Sequence, residues 1–170
     1  MLDPAGQFQR YAAPDPQALA DRTASDRAAL GAAQGAERLA LLTRAGAALY
    51  VLGHEGEAEP MLREALALAR TLGDREKEVQ NLNNLATSLQ YLGQRTEALA
   101  LFAEALARAP GTPSWQHRDF IHHHRGRCLV ELGHIAEARQ DFETALALRI
   151  EKGDAFYIHS SRRALAALPG

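Results

Sequence analysis

The chain has 170 residues, 46% of them hydrophobic, and a formal net charge of −2 at pH 7. This length corresponds to one domain with a buried core, and the near-zero net charge predicts that nucleic acid is not a partner. Cys128 is the single cysteine, which excludes an intramolecular disulfide. With no apolar run of 18 residues and no secretory leader, we expect a cytoplasmic protein without a membrane partner. Seventeen arginines against two lysines are a weak hint of a GC-rich, bacterial coding sequence.

The N-terminal part of the chain is predicted to be irregular over residues 1–14. Asp15 followed by Pro16 then indicates a helix start, with aspartate as the N-cap and proline in the first position. This helix should run to Leu30. It does not share the pattern that follows, so residues 15–36 are interpreted as a degenerate half-repeat that caps the chain.

The rest of the chain repeats with a period of 40 residues. Gly53, Gly93 and Gly133 each follow a leucine directly, and each ends a stripe of apolar residues with helical spacing. Glycine suits this position because it enters the left-handed conformation at a helix end without steric cost. The matching columns around the glycines are Leu49, Leu89 and Leu129; Ala58, Ala98 and Ala138; Leu62, Phe102 and Phe142; and Ala65, Ala105 and Ala145.

Each copy predicts two amphipathic helices joined at its glycine. Asp74, Ser114 and Asp154 are the predicted N-caps of three helices. Pro60 should kink the first turn of its helix or move the start of that helix to about Glu59. The predicted helices are 37–52, 55–72, 74–92, 95–109, 114–132, 135–150 and 154–168.

This pattern resembles the tetratricopeptide repeat (TPR) family over roughly residues 37–168. The resemblance implies an all-α fold, a right-handed superhelical TPR solenoid of antiparallel helix pairs. It would contain about three repeats (37–73, 74–113 and 114–153) plus capping helices, the last at 154–168. The third repeat departs from the family because His122 and Arg125 replace apolar packing residues. The residues that carry the resemblance in the middle copy are Leu82, Leu85, Ala86, Leu89, Gly93, Ala98, Phe102, Ala105 and Pro110.

The resemblance implies a non-enzymatic protein–protein interaction module that needs no cofactor. The first helix of each pair would line a concave groove, which binds a peptide or protein partner. Asparagine amides suit an extended peptide backbone and arginines suit carboxylates, so the expected partner is an acidic or C-terminal segment. The predicted groove residues are Arg44, Lys77, Gln80, Asn83, Asn84, Thr87, Tyr91, Phe120, His123, His124, Arg127 and Arg163.

The groove should be positive and the opposite face negative, because most acids lie on the second helices. The alternative is that the predicted groove residues are ordinary solvated helix faces. A second functional hypothesis is a regulatory sensor whose groove binds a signalling peptide or a small ligand.

Three further hypotheses concern smaller features. His124 and Cys128 have a spacing that can chelate zinc, so a metal site within 117–128 is a distant third function. His123 and His124 would charge below about pH 6.5 and strengthen a positive groove. The apolar run 156–158 could support a homo-oligomer through the C-terminal helix, although packing on helix 135–150 is expected for at least two of its residues.

Overall fold

The structure is a computed structural model that describes Phe8 and residues 12–169. The predicted all-α fold is confirmed for these residues, which form eight α-helices and one 3-10 helix, Pro113–His117. None of these helices is long and apolar enough to cross a membrane. The irregular segment predicted for residues 1–14 falls mainly outside the described residues. The helices are α1 (Pro16–Ala29), α2 (Gly35–Leu52), α3 (Glu55–Leu72), α4 (Arg75–Tyr91), α5 (Arg95–Arg108), α6 (Arg118–Glu131), α7 (Ile135–Lys152) and α8 (Ala155–Ala166).

The helix boundaries follow local chemistry with two exceptions. Asp15, Asp74 and Asp154 cap α1, α4 and α8, each accepting a hydrogen bond from a backbone N–H three residues later. The prediction that Ser114 caps an α-helix is wrong, because Ser114 lies inside the 3-10 helix and α6 begins only at Arg118. A start of α3 near Glu59 is also wrong, since α3 begins at Glu55 and contains Pro60.

The chain divides into two compact units. The N-terminal unit comprises residues 12–108, with α1 to α5. The C-terminal unit comprises Phe8 and residues 109–169, with the 3-10 helix and α6 to α8.

The residues that recur every 40 positions pack between the two helices of each pair. Small alanines let the two helices approach, and one large side chain fills the space between them. All nine residues of these columns on the second helices are 0% exposed. They are Ala58, Leu62 and Ala65; Ala98, Phe102 and Ala105; and Ala138, Phe142 and Ala145.

Two pairs approach so closely that the first helix carries glycine at the crossing. A Cβ added at Gly46 would lie 2.7 Å from Leu62, and one added at Gly126 would lie 2.9 Å from Phe142. The middle repeat has Ala86 at the same position, fully buried. Helix approach is therefore tightest in the first and third pairs.

Helix α1 packs against α2 and buries few of its own side chains. Leu30, just after its last residue, packs against the buried cluster of Leu39, Leu42, Ala65 and Ala69. Thr23 is the only buried residue within α1 itself. This helix therefore adds little to the core and leaves most of its surface open.

Candidate functional site

A cavity of about 620 Å³ lies in the N-terminal unit, between α1, α2 and the first turns of α4. Three of the predicted groove residues, Arg44, Lys77 and Gln80, line it. Helix α1 forms a wall that the sequence analysis did not include in the groove. The lining residues are Ala13, Pro14, Asp15, Ala18, Leu19, Arg22, Thr23, Asp26, Thr43, Arg44, Ala47, Ala48, Tyr50, Val51, Lys77 and Gln80.

The basic side chains that line this cavity differ in whether a carboxylate of the protein already pairs with them. Arg44 makes a two-pronged contact with Asp26, with Nε to Oδ2 at 3.1 Å and Nη2 to Oδ1 at 2.7 Å. This hydrogen bonding raises the pKa of Arg44. Lys77 donates to Gln80 Oε1 at 2.9 Å. Within the described residues, neither Lys77 nor Arg22 has a carboxylate partner. Arg22 and Lys77 are therefore the cations that an incoming carboxylate could use.

The polar side chains further along α4 are less accessible than predicted. Asn84 is 8% exposed and accepts a hydrogen bond from the Tyr50 hydroxyl, with an O–O distance of 3.4 Å. Thr87 is 0% exposed, and its hydroxyl donates to the Asn83 carbonyl. Thr87 therefore presents nothing to a ligand, whereas Asn83 is half-buried.

Aromatic rings border these amides. The rings of Tyr50 and Tyr91 lie 6.3 Å apart, and both residues are half-buried. Burial raises the pKa of Tyr50, which therefore stays a neutral hydrogen-bond donor at physiological pH.

Asn81 was not predicted as a functional residue, and it holds α2 and α4 together beside the cavity. Its side-chain nitrogen donates to Thr43 Oγ1 and to the Lys77 carbonyl, both at 2.9 Å. The other repeats have Leu41 and Ile121 at the position of Asn81. A polar residue at an otherwise apolar position was the feature of the sequence that could have identified it.

In the C-terminal unit, Phe120 and His123 belong to a cluster around Arg149. The Arg149 guanidinium donates to Asp119 and Ser161, contacts His123 Nδ1 at 3.1 Å, and lies 5.4 Å from the centre of the Phe120 ring. These contacts connect α6, α7 and α8. Phe120 and His123 thus serve packing within this unit.

Both predicted groove histidines are held neutral. Burial, reinforced by neighbouring Arg149, lowers the pKa of His123 well below its ordinary value. Burial, reinforced by Arg127, lowers the pKa of His124 to about 3. The prediction that these histidines charge below about pH 6.5 is therefore wrong.

The remaining predicted residues of the C-terminal unit differ in exposure. Arg127 is 5% exposed, and its guanidinium donates to the carbonyl of Phe8, with an N–O distance of 3.2 Å. Arg163 is exposed on α8. On the same helix, Phe156 is 66% exposed, while Tyr157 and Ile158 are half-buried.

The two residues that depart from the family pattern form a polar cluster. Asp141 accepts both hydrogen bonds of the Arg125 fork at 2.7 Å and contacts His122 Nδ1 at 2.8 Å. Burial opposes ionisation of Asp141, but the hydrogen bonds from Arg125 and His122 lower its pKa overall. The aspartate thus compensates two polar residues at positions where the other repeats have apolar residues.

The metal hypothesis finds no geometric basis in the described residues, where no three His, Cys, Asp or Glu side chains are grouped to hold an ion. His122 faces Asp141, and His123 faces Arg149 and Phe142. The neighbouring histidines His122 and His123 therefore contact different partners and do not converge on one point.

The expected negative face is neutralised in the N-terminal unit. Arg63 bridges Glu59 and Glu97, and Arg70 bridges Glu78 and Glu104. The Arg63–Glu59 pair lies within α3, and the other three pairs connect α3 with α4 or α5, so the arginines of the second helices balance acids on their own and on neighbouring helices. The prediction of a simple charge segregation is wrong there.

Comparisons with known proteins agree with this architecture. The sequence profile described as "Tetratricopeptide repeat" matches residues 37–111 and 78–151. Curated proteins give no significant match.

Two solved structures have a similar fold, both from a Podosopora anserina protein described as a candidate kinesin light chain with nearly identical TPR-like repeats. One is 19% identical with a TM-score of 0.62, covering 91% of this chain and 86% of that chain. The other, its Q17M form, is 21% identical with a TM-score of 0.62, covering 89% and 74%. At these identities the likeness concerns the fold alone. Because the family profile covers most of the sequence and the helix pairs have the matching packing, the chain belongs to the tetratricopeptide repeat family.

Proposed function

We propose that this chain is a non-enzymatic interaction module that binds a peptide segment of a partner protein in the cavity of its N-terminal unit. Tetratricopeptide repeats generally mediate protein–protein interactions. The observation that carries the proposal is the cavity of about 620 Å³, which contains three residues predicted from sequence to contact a partner. Its wall is partly apolar, through Ala47, and partly polar, which suits a peptide side chain and its backbone.

The charge of the cavity favours an acidic or C-terminal segment. Asp26 is already engaged by Arg44, and Asp15 caps α1 through the Ala18 N–H. Arg22 and Lys77 remain for a ligand carboxylate. Arginine binds carboxylates with two parallel hydrogen bonds, and lysine acts as a point charge.

The proposal is tested by capturing partners on wild-type protein, mapping the bound segment by cross-linking mass spectrometry, and synthesising that segment as a fluorescent peptide. Anisotropy then gives its affinity for wild type, Arg22→Glu and Lys77→Glu. We expect each charge reversal to weaken binding at least about tenfold, corresponding to about 1.4 kcal/mol. Added salt should weaken wild-type binding as well.

The matched control is Arg162→Glu, which reverses an exposed charge on α8. It should bind the peptide like wild type. Equal binding by Arg22→Glu, Lys77→Glu and Arg162→Glu would contradict the proposal and place the interface outside the cavity.

A small ligand is the second candidate, since the cavity volume falls within the range of about 300–1,000 Å³ for small-molecule sites. The chain would then act as a sensor. Small-angle scattering with and without the captured ligand distinguishes the two, because a sensor changes its dimensions on binding and a passive adaptor does not.

A further inference from the structure

Phe8 lies against the third repeat, where its contact Arg127 is 119 positions further along the chain. It is 8% exposed, and its ring meets the ring of Phe142 edge-on with centroids 5.6 Å apart. The Arg127 guanidinium stands 5.5 Å from the centre of the same ring. It also donates to the Phe8 backbone carbonyl at 3.2 Å. One residue is thus held by both its side chain and its main chain.

The contacts to the Phe8 ring and the contact to its carbonyl select different chemical groups. The ring of Phe142 and the positive charge of the Arg127 guanidinium both attract an aromatic ring. The hydrogen bond from Arg127 goes to a main-chain carbonyl, an acceptor that any residue in a peptide offers. Together they recognise an aromatic residue within a peptide chain.

The receiving arginine belongs to the third repeat alone. One period earlier the position holds Thr87, and two periods earlier it holds Ala47. Neither can donate a charged hydrogen bond to a carbonyl or stack on a ring. Arg127 was also one of the residues predicted from sequence to contact a partner.

We propose that Arg127 and Phe142 form a docking site for a partner peptide that carries an aromatic side chain, and that Phe8 is its internal occupant. We call this surface the aromatic site. A partner peptide must displace Phe8 to bind. The aromatic site lies on the C-terminal unit, so this proposal does not depend on the one for the cavity of the N-terminal unit.

An internal occupant lowers the apparent affinity for a competing peptide by the fraction of molecules in which the site is free. Replacing Phe8 by alanine removes the competing ring while leaving Arg127 and Phe142 in place. The affinity for an added aromatic peptide should therefore rise at least about tenfold in the Phe8→Ala variant, if the internal ring fills the site in at least about nine molecules of ten.

The experiment measures binding of a fluorescein-labelled synthetic peptide of residues 3–13 of this chain by anisotropy. We expect the full-length Phe8→Ala protein to bind it at least about tenfold more tightly than wild type does. The Phe8→Ala, Arg127→Met double variant should lose this gain, and a peptide with alanine in place of Phe8 should bind neither protein. The matched control is Phe156→Ala, which removes an exposed ring from α8 and should behave like wild type.

Equal affinities of wild type and Phe8→Ala would overturn the proposal, as would tight binding that survives the Arg127→Met change. Circular dichroism verifies that each variant is folded. If Phe8→Ala does not fold, a titration of ¹⁵N-labelled wild-type protein with the peptide decides instead. Amide shifts at Gly126, Arg127 and Phe142 support the aromatic site, and their absence at saturating peptide refutes it.

Discussion

Arg149 and Asp119 form an ion pair with almost no contact with solvent, their side chains being 2% and 1% exposed and their Nε–Oδ2 distance 3.0 Å. Asp119 comes from α6 and Arg149 from α7. The same guanidinium donates to Ser161 Oγ at 2.7 Å and to the Tyr157 carbonyl at 3.3 Å, both on α8. Burial lowers the pKa of Arg149 against the opposing effect of Asp119. One side chain of α7 thus joins α6 and α8.

Replacing Arg149 by methionine should cost about 1.5–3 kcal/mol of unfolding free energy, because it removes the charged hydrogen bonds of the buried guanidinium while Lys152 still compensates Asp119. Urea denaturation monitored by circular dichroism measures the loss. Arg162→Met, on the exposed face of α8, serves as the control and should change stability by less than about 0.5 kcal/mol. Equal losses in both variants would mean that the buried pair has no special role.

The cluster of His122, Arg125 and Asp141 should be replaceable by the residues of the middle repeat. The corresponding positions there hold Leu82, Leu85 and Leu101. Buried ionic groups often contribute no more than well-packed apolar ones, so the triple change to leucine should be neutral or stabilising by about 1–4 kcal/mol. Thermal unfolding followed by circular dichroism gives the comparison.

The single change Asp141→Asn should act in the opposite direction, because it removes the negative charge that compensates Arg125. Arg125 keeps some contact with solvent, at 27% side-chain exposure, so the expected loss is about 1–3 kcal/mol. Destabilisation of the triple variant to the same extent as Asp141→Asn would show that the polar cluster itself is required.

The sequence predicted the helix pairs because their determinants are local or periodic. The three aspartate caps act on backbone groups within three residues, and the columns around Gly93 repeat every 40 residues. The start of α6 was missed because Pro113, three residues after Pro110, favours a 3-10 turn that local capping rules do not distinguish from an α-helix start.

The binding residues were harder to predict because exposure depends on distant partners. Arg44 was taken as open to a ligand, but Asp26 of a helix outside the periodic pattern engages it. Arg127 and Asn84 were likewise taken as surface residues, yet Phe8 and Tyr50 contact them. Asp26 and Phe8 lie outside the repeats, whereas Tyr50 lies in the preceding repeat. A repeat pattern indicates which face a residue occupies, but not which side chains from other segments or from the neighbouring repeat cover it.

The stability of the fold should fall as the pH is lowered below about 6.5. His123 and His124 have lowered pKa values in the folded protein, near 3 for His124, whereas the unfolded chain takes up protons at the ordinary value of 6.5. The unfolded state therefore binds more protons between these values, and acid favours it. We expect a loss of about 2–4 kcal/mol between pH 7 and pH 5, measured by urea denaturation at each pH.

The variant His124→Gln should remove roughly half of this pH dependence, since glutamine does not titrate and each histidine contributes up to about 1.4 kcal/mol per pH unit. His159→Gln, at an exposed position of α8, is the comparison and should keep the wild-type slope. A slope unaltered by His124→Gln would refute the assignment.

Gly46 should tolerate no side chain, because a Cβ there would lie 2.7 Å from Cγ and Cδ2 of Leu62, which is fully buried. Gly46→Ala should cost about 1–3 kcal/mol by overpacking, measured by thermal unfolding. Gly56→Ala is the matched control, because Gly56 lies in α3 with nothing within 4 Å of the added Cβ. Alanine there should stabilise by about 0.5–1 kcal/mol through helix propensity.

Combining Gly46→Ala with Leu62→Ala should recover part of the overpacking cost, since the two side chains compete for one volume. Additive losses in the double variant would exclude this clash as the cause.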